Sequence, residues 1–67
     1  MIHIHINKRT PSHVASINRQ HPGADGYRAQ EPWLLLHVDG RVRRFGSLSD
    51  AKDEALKLWA PCRFVRG

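Results

Sequence analysis

The sequence predicts one small α+β domain spanning residues 1–67: an antiparallel sheet of three or four strands with one helix packed on one face, in the order β-loop-β-β-α-β. Three observations carry that expectation. The chain opens on a strict apolar–polar alternation, Ile2-His3-Ile4-His5-Ile6. It carries Asp39-Gly40 between two strand-like runs, and a capped run of 3–4 apolar spacing follows from Ser47.

Alternating β-branched residues suit a pleated surface buried on one side, so the first strand is expected over residues 2–7, with Ile2, Ile4 and Ile6 on one face and His3 and His5 on the other. Residues 8–31 give no single pattern. Thr10-Pro11 suits an N-cap followed by proline at the first helical position, opening a short helix through Val14 and Ile17. Read with period two, the same stretch alternates Val14, Ser16 and Asn18 with Ala15, Ile17 and Arg19. His21-Pro22-Gly23-Ala24-Asp25-Gly26 is turn chemistry. A connection of this length without structure is uncommon in a compact domain, which marks it as a functional loop or a hidden element.

Residues 33–38 and 41–45 form a hairpin about Asp39-Gly40, because a tight turn there needs positive φ. A two-residue turn would set Leu34 opposite Phe45, Leu36 opposite Arg43 and Val38 opposite Arg41; a bulged turn would shift the pairing by one and regroup the faces. The helix is expected over residues 48–59. Ser47 caps it, Asp50, Asp53 and Glu54 face the positive end of its dipole, and Lys57 stands one turn after Asp53. Pro61 stops it, and 62–66 reads as a short edge strand. The expected core is Ile2, Ile4, Ile6, Leu34, Leu36, Leu48, Ala51, Ala55, Leu58 and Trp59.

A chain of 67 residues buries only about 60% of the surface its unfolded form exposes, too little for the enclosed, multi-part active site most enzymes use. It has no apolar run near the ~20 residues of a membrane span, and its alternating start is not the apolar stretch of a signal peptide. The single cysteine, Cys62, excludes an intrachain disulfide and suits a cytoplasmic protein. The distinctive feature is charge: eleven Lys and Arg against six Asp and Glu, formal net charge +5, with five histidines besides. Half of the acids lie in the helical segment, so the sheet is strongly basic. Arg41, Arg43, Arg44, Arg63 and Arg66 all fall on strands or their margins, where a planar guanidinium can grip phosphate or a guanine edge. Trp33 stands ready to pack on sugars or stack on bases. The first expectation is therefore a non-catalytic nucleic-acid-binding module, DNA or RNA, acting through Trp33, Arg41, Arg43, Arg44, Arg63 and Arg66. The plain counterpart is that an arginine-rich run is simply a solvated face.

The stretch Trp33…Asp39-Gly40-Arg41-Val42-Arg43-Arg44-Phe45-Gly46-Ser47-Leu48…Ala51…Ala55…Trp59 resembles the hairpin and helix of AP2-type and phage-integrase arm-binding domains. The resemblance covers residues 33–59; the first strand, the long connection and the last strand lie outside it. In that family a three-stranded sheet lies in the DNA major groove and its Arg and Trp side chains make the contacts. For this chain it implies DNA contacts by Trp33, Arg41, Arg43 and Arg44.

In size and style the chain is also similar to small phage-encoded inhibitors of the anti-CRISPR type. That resemblance implies a different partner, a nucleic-acid-processing protein or complex blocked through the loop 20–32 and an edge strand, either 2–6 or 62–66. Tyr27, Arg28 and Trp33 are the residue types that dominate protein hot spots. Pairing of an edge with a second copy would make a homodimer. His3 and His5 project from one strand face ~7 Å apart, a spacing that permits one Zn²⁺, with His37, Cys62, His13 or His21 as a third ligand. Polar residues opposite an apolar face explain the same pattern more simply, so no metal or cofactor is expected. Cys62 with a nearby histidine is the one nucleophile–base pair the composition permits. A lone cysteine is more often a small buried hydrophobe, and no catalytic role is expected.

Overall fold

The N-terminal alternation makes a strand, and that strand lies inside the sheet. The computed structural model describes residues 1–7 and 10–67; the part of the long connection at residues 8 and 9 lies outside the described residues. The elements are β1 (Ile2–Ile6), β2 (His13–Arg19), β3 (Trp33–His37), β4 (Val42–Phe45), α1 (Leu48–Trp59) and β5 (Cys62–Arg66). They form an α+β fold with a five-stranded sheet of order β4-β3-β2-β1-β5, antiparallel throughout. The fifth strand is β2, which occupies the stretch that the sequence left between a short helix and an alternating run. Thr10-Pro11 opens no helix. β1 is flanked by β2 and β5, so the expected edge at residues 2–6 is corrected: the two edges are β4 and β5.

A bulge in β2 decides which side chains share a face. Ile4 pairs with Ala15 but His5 pairs with His13, so Val14 is the extra residue. A regular register would set His5 against Val14 and Ile6 against His13, turning His13 toward the helix side. The bulge buries Val14 and Ala15 together and returns His13 to the same face as His3 and His5.

The hairpin takes the shifted register, with Trp33, Leu35 and Leu36 opposite Phe45, Arg43 and Val42. Gly40 stands at φ 96°, and the His37 amide donates to the Arg41 carbonyl at 2.8 Å across the turn. Leu35 is therefore turned under the helix and fully buried, whereas Leu36 lies half-buried on the other face. The helix begins where its cap dictates: the Ser47 hydroxyl accepts from the Asp50 amide at 3.1 Å. At the other end the Ala60 amide reaches the Leu56 carbonyl before Pro61 ends the run.

α1 links the two sheet edges and packs on the face that carries Ile2, Ile4, Ala15, Ile17 and Leu35, together with Val14 from the bulge. Ala51 and Ala55, both fully buried, form its contact stripe, and their small side chains let the helix axis approach closely. Ile4, Ile17 and Leu35 are the largest completely buried side chains; each contributes about 1.5–3 kcal/mol by leaving water. Leu58 does not belong to this core: it is 49% exposed, while Trp59 packs on the core and sets its ring 5.0 Å from that of His37.

Candidate functional site

Two adjoining depressions run along one end of the sheet beside the start of α1. The larger, about 380 Å³, has an apolar floor of Ile2, Ile17 and Leu48 and a rim that includes Arg19, Arg66 and Trp33. The second, about 340 Å³, is lined by Arg19, Gln20, His21, Pro22 and Tyr27. Arg19 and His21 line both, so the two depressions adjoin at these side chains and together form the trough, with Arg66 and Trp33 in one part and Tyr27 in the other. No acidic side chain lines it among the described residues. The register explains the convergence: Arg19 pairs with Trp33 across β2 and β3, and its guanidinium carbon stands 6.0 Å from the indole centroid. Ile2 pairs with Arg66 across β1 and β5, which brings the last strand's arginine to the same end.

The six residues expected to bind nucleic acid do not share one surface. Trp33 and Arg66 meet in the trough. Arg41 closes back on Asp39, its backbone N–H donating to Oδ1 at 3.0 Å and its Nε–H to Oδ2 at 2.9 Å. Arg43, on the helix side, forms an ion pair with Glu54 of α1 and passes over the Phe45 ring. Arg44, its chain neighbour, points to the opposite face and donates to the Gln20 side chain at 2.7 Å. Arg63 donates to Asn7 Oδ1 at 3.1 Å. Of the alternative partner-binding set, Tyr27 lines the trough, Trp33 belongs to β3, and Arg28 lies exposed 3.7 Å from Glu31. Arg19, which no sequence argument singled out, joins Trp33 and Arg66; its signal would have been the reading of residues 13–19 as a strand.

The face away from the helix has a different character. His3, His5 and His13 gather there with Ser12 and Ser16. His3 and His13 meet edge to face at 5.1 Å between centroids, and His5 stands 5.3 Å from His13. His5 Nδ1 lies 2.9 Å from the Ser12 hydroxyl. Partial burial, and then the positive field of Arg63, hold the His5 imidazole below its usual pKa. His37 and Cys62 lie on the helix side, opposite Ala15 and Ile6, and so stand apart from these histidines. Among the described residues, no three of His, Cys, Asp and Glu are grouped to hold a metal ion, and no helix is long and apolar enough to cross a membrane.

Comparison of the chain with protein-family models, with curated proteins and with solved structures gives no match.

Proposed function

We propose that this domain binds single-stranded nucleic acid along the trough between Arg66 and Tyr27. The observation that carries this reading is the placing of two aromatic side chains, one in each of two adjoining acid-free depressions, with Arg19 and His21 lining both and Arg66 beside Trp33. Successive bases stack on aromatic faces while arginines follow the phosphates, and both kinds of contact tolerate any sequence. A single strand suits the site better than a duplex, because stacking on Trp33 and Tyr27 needs unpaired bases. Arg19 and Arg66 are the leading phosphate contacts. Arg41 and Arg43 are partly neutralised by Asp39 and Glu54 and contribute mainly to the general positive field.

The test is fluorescence anisotropy with a labelled single strand and a matched duplex across a salt series. Single-strand affinity should exceed duplex affinity. Arg19→Gln and Arg66→Gln should each flatten the slope of log K against log salt by about 0.7. The folded double variant Arg41→Gln/Arg43→Gln should bind nearly as the parent does. Equal slopes in the parent and the two trough variants would remove the trough from the interface. A second reading is favoured by the open edge at β5, where Val65 is 41% exposed: capture of a protein by strand addition. That reading calls for a one-to-one protein complex that resists salt.

A further inference from the structure

We propose that His3 and His13, with the Ser16 hydroxyl, form a binding site for a late first-row divalent cation such as Zn²⁺ on the helix-free face. The site shares no residue with the trough and does not rest on the nucleic-acid reading.

The geometry begins with three atoms. His3 Nδ1 and His13 Nε2 are 3.3 Å apart, and the Ser16 oxygen lies 3.2 Å from the first and 3.1 Å from the second. They make a nearly equilateral triangle. In a tetrahedral shell with metal–nitrogen bonds of about 2.0–2.1 Å, adjacent donor atoms are separated by about 3.3–3.4 Å, since the edge of a tetrahedron is about 1.63 times its centre-to-corner length. The two imidazole nitrogens thus already stand at the separation that one ion requires. The same separations lie at or just beyond the long end of the hydrogen-bond range, about 2.7–3.2 Å, so weak hydrogen bonds hold these three atoms together in the metal-free chain.

The arrangement is also held in place. The β2 bulge turns His13 to this face; without the extra residue it would lie on the helix side. Gly67 backs the His3 ring on its other edge, where a Cβ would come within 2.9 Å of Nε2, and this leaves Nδ1 turned toward the cluster. Ser16 is buried, with 7% exposure, and its hydroxyl lies within hydrogen-bond reach of both histidines. Neutral imidazole suits Zn²⁺, Cu²⁺ and Ni²⁺ better than it suits Mg²⁺ or Ca²⁺. A shell with two protein nitrogens and one hydroxyl leaves a position for water or an added ligand. Arg63, opposite His5 in the sheet, places a positive charge near the site and weakens the affinity for any cation.

The experiment is a calorimetric titration of the full chain with Zn²⁺, paired with NMR of the histidine ring resonances under substoichiometric Cu²⁺. One ion per chain is expected. His3→Ala and His13→Ala should each weaken binding at least about tenfold, and His37→Ala on the helix side should leave it unchanged. Broadening should reach His3 and His13 before His21 and His37, a reading on the unsubstituted chain that stands even if a variant fails to fold. Absence of Zn²⁺ binding, retention of it in folded His13→Ala, first broadening at His21 or His37, or one ion shared by two chains would each overturn the proposal.

Discussion

Truncating Leu35 is the sharpest test of how the hairpin sits under the helix. Two leucines exchange the places the sequence assigns them: Leu35, outside the expected core, is 0% exposed, and Leu58, inside it, is 49% exposed. Leu35 lies between Ile17 and Arg43 in the sheet and turns its side chain into the layer closed by Ala51 and Ala55. Leu35→Ala removes three carbons from a site that can relax little, and should cost about 2–5 kcal/mol. A chain of this length has a total stability of roughly 3–10 kcal/mol. A loss near 3 kcal/mol would therefore lower the melting temperature by about 12–24 °C. Leu58→Ala should stay within about 0.5 kcal/mol. Urea unfolding followed by far-ultraviolet circular dichroism gives both values, and Trp33 and Trp59 supply a second probe. Equal costs at the two positions would mean that the strand register or the helix rotation described here is wrong.

Two further outcomes follow from the turn. Gly40→Ala, at φ 96°, should cost about 1 kcal/mol, whereas Gly23→Ala, with open space around its Cβ, should change stability little in the same urea assay. Asp39 accepts a hydrogen bond from the Arg41 amide, the main cause of a carboxyl pKa below its usual value. A depressed native pKa means a stabilisation present above the unfolded value of about 3.9 and lost as pH falls through the native value. NMR titration should find the Asp39 midpoint below the usual aspartate value of about 3.9, and Asp39→Asn should remove that part of the acid sensitivity.

Much of this fold could be read directly where one residue pattern had one physical meaning. The Ile/His alternation, the Ser47 cap and the Asp39-Gly40 turn each specify local geometry, and each appears where the residues put it. β2 was not legible for an equally specific reason. Its bulge buries Val14 and Ala15 in succession and so breaks the alternation by which a strand is recognised. With β2 hidden, Arg19 has no place in a site, and residues 2–6 read as one of two possible edges. Leu58 keeps helical spacing, yet the last turn of α1 gives its inner position to Trp59 against His37. The arginines show the limit of residue type as a guide. Arg43 and Arg44 adjoin in sequence, but successive strand residues face opposite ways, so proximity along the chain separated them in space.

The pairing of β1 with β5 joins residue 2 to residue 66, far apart along the chain. Synthesis runs from β1 to β5, so β1 waits with one side unpaired while β2, β3, β4 and α1 emerge. During that interval an Ile-rich strand offers its free backbone groups to any neighbouring chain, and contacts this distant along the sequence slow folding. The histidines of β1 and the two arginines of β5, Arg63 and Arg66, thus accompany the last seam of the sheet to close, and a nascent chain stopped before Cys62 would carry that seam open.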